Sequence, residues 1–146
     1  MPLEIERKFL VADETWRADV LKSQQIRQGY ISRSGPLSAR VRTIDGEAFL
    51  TIKSRAPGIA REEFEYPLPF ADAETMLALC EKPLVEKTRH TVLHHNREWI
   101  IDEFTGEHAG LLLAECELHA PDEAIDLPVW TGAEVTDDPA YRNEAL

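Results

Sequence analysis

Leu3-Glu4-Ile5-Glu6-Arg7-Lys8-Phe9 opens the chain with an acid, an acid and a base at every second position. Alternate side chains of a strand share a face, so Glu4, Glu6 and Lys8 lie on one side and Ile5 and Phe9 on the other. A solvated face on an exposed strand accounts for this segment taken alone. It does not account for the recurrence of the layout downstream, as Arg40-Val41-Arg42, Lys53, Glu63-Phe64-Glu65, Lys87-Thr88-Arg89, Asp102 and Glu115-Cys116-Glu117. In most of these segments the alternate positions are apolar.

Two arrangements suit such strands. Either an open sheet packs its apolar face on helices and turns the charged face to water, or the sheet curls so that the charged face lines a channel. The channel is favoured, because closure removes sheet edges and lets acids and bases meet across a lumen. Buried charges cost several kcal/mol each unless paired or coordinated, so a dry structural lumen is excluded and a ligand is called for. Hard divalent cations select carboxylate oxygens, and Mg²⁺ combines a few carboxylates with substrate phosphates. Arg holds phosphate as a fork and Lys as a point charge. Acids for a metal and bases for linked phosphates, around one bore, describe a site for a metal-triphosphate complex.

Composition sets the bounds. With 146 residues and 43% hydrophobic content, one domain over residues 1–146 with a real core is expected. No apolar run approaches membrane-spanning length and the first strand has no signal-peptide character, so a cytoplasmic protein without membrane contact is expected. A formal net charge of -11 argues against nucleic-acid binding, which wants a basic face. Cys80 and Cys116 lack metal spacing and read as small buried hydrophobes.

In chain order, the first strand ends near Val11 and Asp13 or Thr15 caps a short helix carrying Trp16, Val20 and Leu21. Strands follow over 25–32 and 37–44, then the Asp45-Gly46 hairpin signal and a return over 47–54. Residues 61–68 form the next strand. Asp72 caps a helix through Glu81 with Ala73, Met76, Leu77 and Cys80 on its core stripe. Strands over 84–93, 98–104 and 110–119 complete the pattern, and Asp137-Asp138-Pro139 starts a terminal helical turn with Tyr141, Arg142 and Leu146 that folds over an open end of the sheet. His94 and His95 are read as a solvated hairpin tip in preference to a transition-metal site.

These motifs resemble the triphosphate tunnel metalloenzymes, or CYTH superfamily, whose marker is an N-terminal Glu-x-Glu-x-Lys, met by Glu4, Glu6 and Lys8. The resemblance extends over Arg40-Val-Arg42, Thr51-Ile-Lys53, Glu63-Phe-Glu65, Glu86-Lys-Thr-Arg89, Ile101-Asp102 and Glu115-Cys-Glu117, and the ordered set is specific where each short motif is weak. It implies a mainly β (α+β) fold, an eight-stranded antiparallel tunnel with helices packed outside, and triphosphate bound with Mg²⁺ or Mn²⁺. It further implies that Lys8, Arg40, Arg42, Lys53, Lys87 and Arg89 hold phosphate oxygens. Glu4, Glu6, Glu63, Glu65, Asp102, Glu115 and Glu117 are implied as metal ligands or holders of metal-bound water. Lys8 or Lys87 would help to orient the nucleophile, and Arg40 and Arg42 would offset charge on the departing pyrophosphate.

The short form of the chain is most similar to the compact bacterial tripolyphosphatases. Adenylyl cyclase and thiamine or nucleoside triphosphatase are the family alternatives, each needing an extra pocket at a tunnel mouth, to which Trp16, Tyr30, Trp99 or Trp130 would contribute. Polyphosphate synthesis goes with longer chains. Glu144 stands where the family often has a basic tail residue. From other classes, a non-catalytic polyphosphate-binding module gains nothing from a carboxylate-lined bore, and a structural β-domain predicts tolerance of charge removal.

Overall fold

The computed structural model describes residues 3–32, 35–54 and 60–142. Its strands are β1 (Leu3–Val11), β2 (Val20–Ser32), β3 (Leu37–Ile44), β4 (Glu47–Ser54), β5 (Ala60–Leu68), β6 (Val85–His94), β7 (Arg97–Phe104), β8 (Leu112–Glu117) and β9 (Thr131–Glu134), with one α-helix, α1 (Phe70–Leu79). β1 to β8 run antiparallel in the order β5-β4-β3-β2-β6-β7-β8-β1, and pairing of β1 back to β5 closes them into an eight-stranded barrel. The short β9 adds to the end of β1 at Phe9 and Val11. No described helix is long and apolar enough to cross a membrane.

Closure follows from the alternation read in the sequence. The apolar face of each strand turns outward and is covered by the chain itself. Ile5, Phe9, Val92, Trp99, Ile101, Ala114 and Cys116 pack with Trp16, Leu118 and Trp130 on one side of the barrel. On the other side Ala73 and Leu77 of α1 pack on Val41 and Ala48, with Met76 and Leu84 at the margin. Gly29 is required there, since a Cβ on it would stand 2.9 Å from the Cys80 Cβ and the Leu84 Cδ2. Cys116 is buried as expected, whereas Cys80 is only half-buried.

Three local expectations change. The helix after β1 is a single 3-10 turn, Thr15–Asp19, because β2 starts at Val20 and pairs with β6 from Val20-Val92 to Gln28-Val85. Long-range pairing outweighs the weak helical preference of those residues, and Leu21 is left exposed. α1 begins at Phe70, three residues early, so Asp72 sits in its first turn near the positive end of the helix dipole rather than capping it. The C-terminal turn is a 3-10 turn, Pro139–Tyr141, whose Asp138 carboxylate accepts from the Ala140 N–H. Turns expected at 34–36 and 56–58 and the tail beyond 142 lie wholly or partly outside the described residues.

Candidate functional site

Strand register decides which charges become neighbours. Across the ladders Lys8 faces Glu115, Lys53 faces Glu63 and Arg89 faces Asp102, while Arg40 lies between Tyr30 and Thr51. Lys8, Arg40, Arg42, Lys87 and Asp102 are buried, and Glu4, Glu6, Lys53, Glu63, Arg89 and Glu115 are half-buried in the same lumen. Glu65 and Glu117 are exposed, with Glu65 accepting from the Thr51 hydroxyl at 3.0 Å.

One cavity is lined by Glu4, Glu6, Lys8, Arg40, Lys53 and Arg61 and covered by Thr136, Asp138, Tyr141 and Arg142. A second is lined by Glu4, Glu6, Arg89, Glu115 and Glu117, with His95, Asn96 and Arg97 at its rim. Glu4 and Glu6 line both, so the opening motif sits where the two spaces meet. The covering tail is tied to β1: the Val135 N–H donates to the Lys8 carbonyl at 2.8 Å and the Lys8 ammonium donates to the Tyr141 carbonyl at 3.0 Å.

The lumen is not polar throughout. Two residues beyond Lys8 and Asp102, and two before Lys87 and Glu115, the same faces carry Leu10, Phe104, Val85 and Leu113, which pack with Val135 and Tyr141. This apolar stopper puts a low-dielectric floor beneath the charges, and the Lys87 ammonium stands 5.2 Å from the Phe104 ring centre.

Acids and bases on this floor perturb one another. Lys53 pairs with Glu4 at 2.8 Å and approaches Glu63 at 3.9 Å. Burial and a hydrogen bond to Glu4 raise Glu63 to about 7. Burial also pushes Glu4 upward, but the bond from Glu63 and the Lys53 charge outweigh it and hold Glu4 below its ordinary value. The second pair behaves alike: burial, Glu115 and Glu4 raise Glu6 well above the carboxylate range. Glu115 falls to about 2 because Lys8, 3.6 Å away, and Arg89, with the bond from Glu6, overcome its burial. In each pair burial and the neighbouring carboxylate favour the protonated form of one member, Glu63 or Glu6, while its partner, Glu4 or Glu115, favours the charged form.

On the basic side, Asp102 is clamped between cations. Arg89 Nε and Nη2 reach its two oxygens at 2.8 and 2.9 Å, and Lys87 Nζ lies 2.7 Å from Oδ2. Burial works against the charge, yet Arg89 and Lys87 hold Asp102 far below the carboxylate range. Burial, with Arg89 and Arg42 nearby, brings Lys87 down to about 7 against the pull of Asp102. Burial and the charges of Arg40 and Arg89 likewise bring Arg42 to about 9, and its Nε donates to Gln28 Oε1 at 3.0 Å. Among the described residues, three buried donors of the lumen, Arg40 Nε, Gln28 Nε2 and Arg142 Nε, find no acceptor.

Four carboxyl groups gathered in pairs on one wall, Glu4 with Glu63 and Glu6 with Glu115, are an oxygen donor set suited to a divalent cation, whose charge would offset their mutual repulsion. A pH dependence follows. Glu6 and Glu63 bind protons more tightly folded than unfolded, so their contribution to stability is complete below the unfolded value and lost as pH rises through the folded one. Without metal, the melting temperature is expected to fall between roughly pH 5 and 8, and added Mg²⁺ to flatten that slope. Thermal denaturation with chelator and with Mg²⁺ checks both; a melting temperature that rises through this range in chelator contradicts the upward shift of Glu6 and Glu63.

Sequence reasoning gave no role to Gln28, Ser38 and Arg61, quoted Thr51 in a motif without a role, gave Tyr30 only to a tunnel-mouth pocket, and put Arg142 in a turn over the open end of the sheet without assigning it to the site. Gln28 and Tyr30 share alternation with the charged positions, a signal available in the sequence; Arg61 precedes Glu63 by two and was available likewise. The fold-back that carries Arg142 was expected from Asp137-Asp138-Pro139, and the structure adds that Arg142 lines the cavity. Trp16, Trp99 and Trp130 lie in the outer core and only Tyr30 of the named aromatics lines the lumen.

Fold and site together define a closed antiparallel β-tunnel that gathers carboxylates and cations on its inner wall. The chain belongs to the CYTH domain family, which matches residues 2–142 and is a family of metal-dependent enzymes. It is 41% identical to the inorganic triphosphatase of Acetivibrio thermocellus, over 100% of this chain and 94% of that protein. It is 37% identical to the inorganic triphosphatase of Nitrosomonas europaea, over 98% of this chain and 95% of that protein. Among solved structures, the inorganic triphosphatase NE1496 superposes with a TM-score of 0.73 at 34% identity, over 99% of this chain and 94% of that one. An adenylyl cyclase homologue from Hippeastrum, described as having a dominant triphosphatase activity, shares the fold with a TM-score of 0.58 at 14% identity, over 83% of this chain and 81% of that one.

Proposed function

We propose that this chain hydrolyses inorganic tripolyphosphate to pyrophosphate and phosphate within the lumen. The observation that carries this reading is the set of buried donors without acceptors among the described residues, Arg40 Nε, Gln28 Nε2 and Arg142 Nε, beside carboxyl groups that crowd one another. Leaving such groups buried and unpaired is costly, and a polyanion with a divalent cation satisfies both kinds at once. The names of the relatives from A. thermocellus and N. europaea support the same substrate.

Glu4, Glu6, Glu63 and Glu115 would hold Mg²⁺ or Mn²⁺. When bound, the ion offsets charge on phosphate oxygens and acidifies water. Lys8, Arg40, Arg42, Lys53, Lys87 and Arg89 bind the phosphate chain, and Arg40 and Arg42 stabilise the charge that develops on the departing pyrophosphate. A bound polyanion raises Lys87 again and keeps it a cation. Water attacks the terminal phosphorus as the bridging P–O bond breaks; one proton of the water stays on the orthophosphate and the other passes to the departing pyrophosphate, while Lys8 orients the Glu115 carboxylate beside it. Asp102, with both oxygens engaged, acts as the anchor that aims Lys87 and Arg89 rather than as a metal ligand. Glu65 and Glu117 act as acids of the rim.

The cyclase and thiamine or nucleoside readings require a stacking surface for the organic group, and the described tryptophans are spent on the outer core. A purely binding module leaves the crowded carboxyl pairs without use. The test is phosphate release from tripolyphosphate, ATP, thiamine triphosphate and pyrophosphate in parallel, with Mg²⁺, Mn²⁺ or chelator, and cyclic AMP measured in the ATP reactions. Tripolyphosphate is expected to be cleaved fastest and only with metal. Faster turnover of ATP or thiamine triphosphate, or binding without release of phosphate, would overturn the proposal.

A further inference from the structure

The geometry points to a second metal site on the tunnel rim, made by His94, His95 and Asp126 and suited to a borderline ion such as Zn²⁺ or Co²⁺. Neighbouring residues of a strand point to opposite faces, so adjacent histidines do not ordinarily converge. Here β6 ends at His94, and His95 takes φ +48 at the hairpin turn. The two rings are stacked, with centres 3.9 Å apart and 22° between their planes. Asp126, from the segment after β8, reaches both: its Oδ2 is in close contact with His95 Nδ1 and lies 3.8 Å from His94 Nε2. One ligand atom from each of the three residues falls within 4.8 Å of the others.

An ordinary ion pair at a hairpin tip explains His95 and Asp126. It does not explain His94, whose Nε2 is buried, turned toward the same carboxylate oxygen and without a hydrogen-bond partner. An ion between the three atoms satisfies that nitrogen. Two imidazoles and a carboxylate, with an open position for water, are the donors of Zn²⁺ and its neighbours, whereas Mg²⁺ prefers oxygen ligands in octahedral geometry. The site is therefore distinct in chemistry from the carboxylate cluster inside the lumen. His95 borders the cavity that also holds Glu4, Glu6, Glu115 and Glu117, and this negative potential concentrates cations at the rim. An ion here links the β6–β7 hairpin to the segment following β8. Because β6 carries Lys87 and Arg89, that link joins the rim to the phosphate-facing wall.

The experiment is titration of the full chain with Zn²⁺, and with Co²⁺ followed by visible absorption, in a large excess of Mg²⁺ so that oxygen-lined sites are occupied. One equivalent of Zn²⁺ is expected to bind, to raise the melting temperature and to resist displacement by Mg²⁺. His95→Ala and Asp126→Ala, both at exposed positions, should each weaken that binding by at least about tenfold while far-ultraviolet circular dichroism stays unchanged. Zn²⁺ binding that survives both substitutions, or that excess Mg²⁺ abolishes, would overturn the proposal.

Discussion

Arg42→Met is expected to lower tripolyphosphate turnover by about 10³-fold, the scale for removing one charged donor from a developing anion, without loss of thermal stability. The two effects part because Arg42 is poorly placed in the ligand-free protein. It is buried beside Arg40 and Arg89, and burial with that repulsion is what brings it down to about 9. Removing the charge relieves the repulsion, methionine retains the packing of the stem, and only the Gln28 hydrogen bond is lost, at about 1 kcal/mol. Steady-state kinetics and a melting curve decide the matter. Activity within tenfold of the parent protein would remove Arg42 from the phosphate-binding set.

Asp102→Ala is expected to act chiefly on stability. Lys87, Arg89 and Arg42 then share a buried space without their common anion, and breaking a buried pair from one side costs about 3–5 kcal/mol. For a domain of this size the melting temperature should drop on the order of 10 °C. The loss should be largest in acid and shrink as pH rises toward neutrality, because Asp102 holds Lys87 up against its burial and without it Lys87 sheds its proton below about 7. Tripolyphosphate should stabilise the variant more than the parent, since it replaces the missing negative charge. Asp102→Asn, which keeps the shape, separates charge from packing. Equal melting temperatures for parent and both variants would mean that Asp102 does not anchor these cations.

Much of the barrel was legible in the alternation of charge with apolar residues. Glu4, Glu6 and Lys8 against Ile5 and Phe9 already state which face is which, and the repeats at Arg40, Lys87 and Glu115 carry that face around the wall. The Asp45-Gly46 hairpin was legible from turn chemistry, with Asp45 at φ +51. The first helix was misread because a five-residue window around Trp16 has helical spacing while pairing of β2 with β6 is set by residues about seventy positions away. β9 was invisible, since Thr131–Glu134 shows no alternation and becomes a strand only beside β1.

Within the site, the same face that bears Lys8, Lys87, Asp102 and Glu115 continues into Leu10, Val85, Phe104 and Leu113. In sequence these are ordinary strand hydrophobes. Only closure of the barrel brings them together as a floor, and the burial it gives Lys87, with the charges of Arg89 and Arg42, pulls that ammonium down. Register is decided in the same way. Asp102 has the composition of a metal ligand but is opposite Arg89, and its oxygens are filled.

Sequence alone thus determined the sign and the face of the charged strand positions from Glu4 to Glu117 that repeat the opening motif, because a period of two is a local property of extended chain. Tertiary structure decided which of those charges meet, which carboxyl groups are pushed toward the protonated form and which end of the bore is stoppered. Those outcomes depend on distances between strands remote in the chain, and electrostatic energy in a low-dielectric interior changes steeply over such distances.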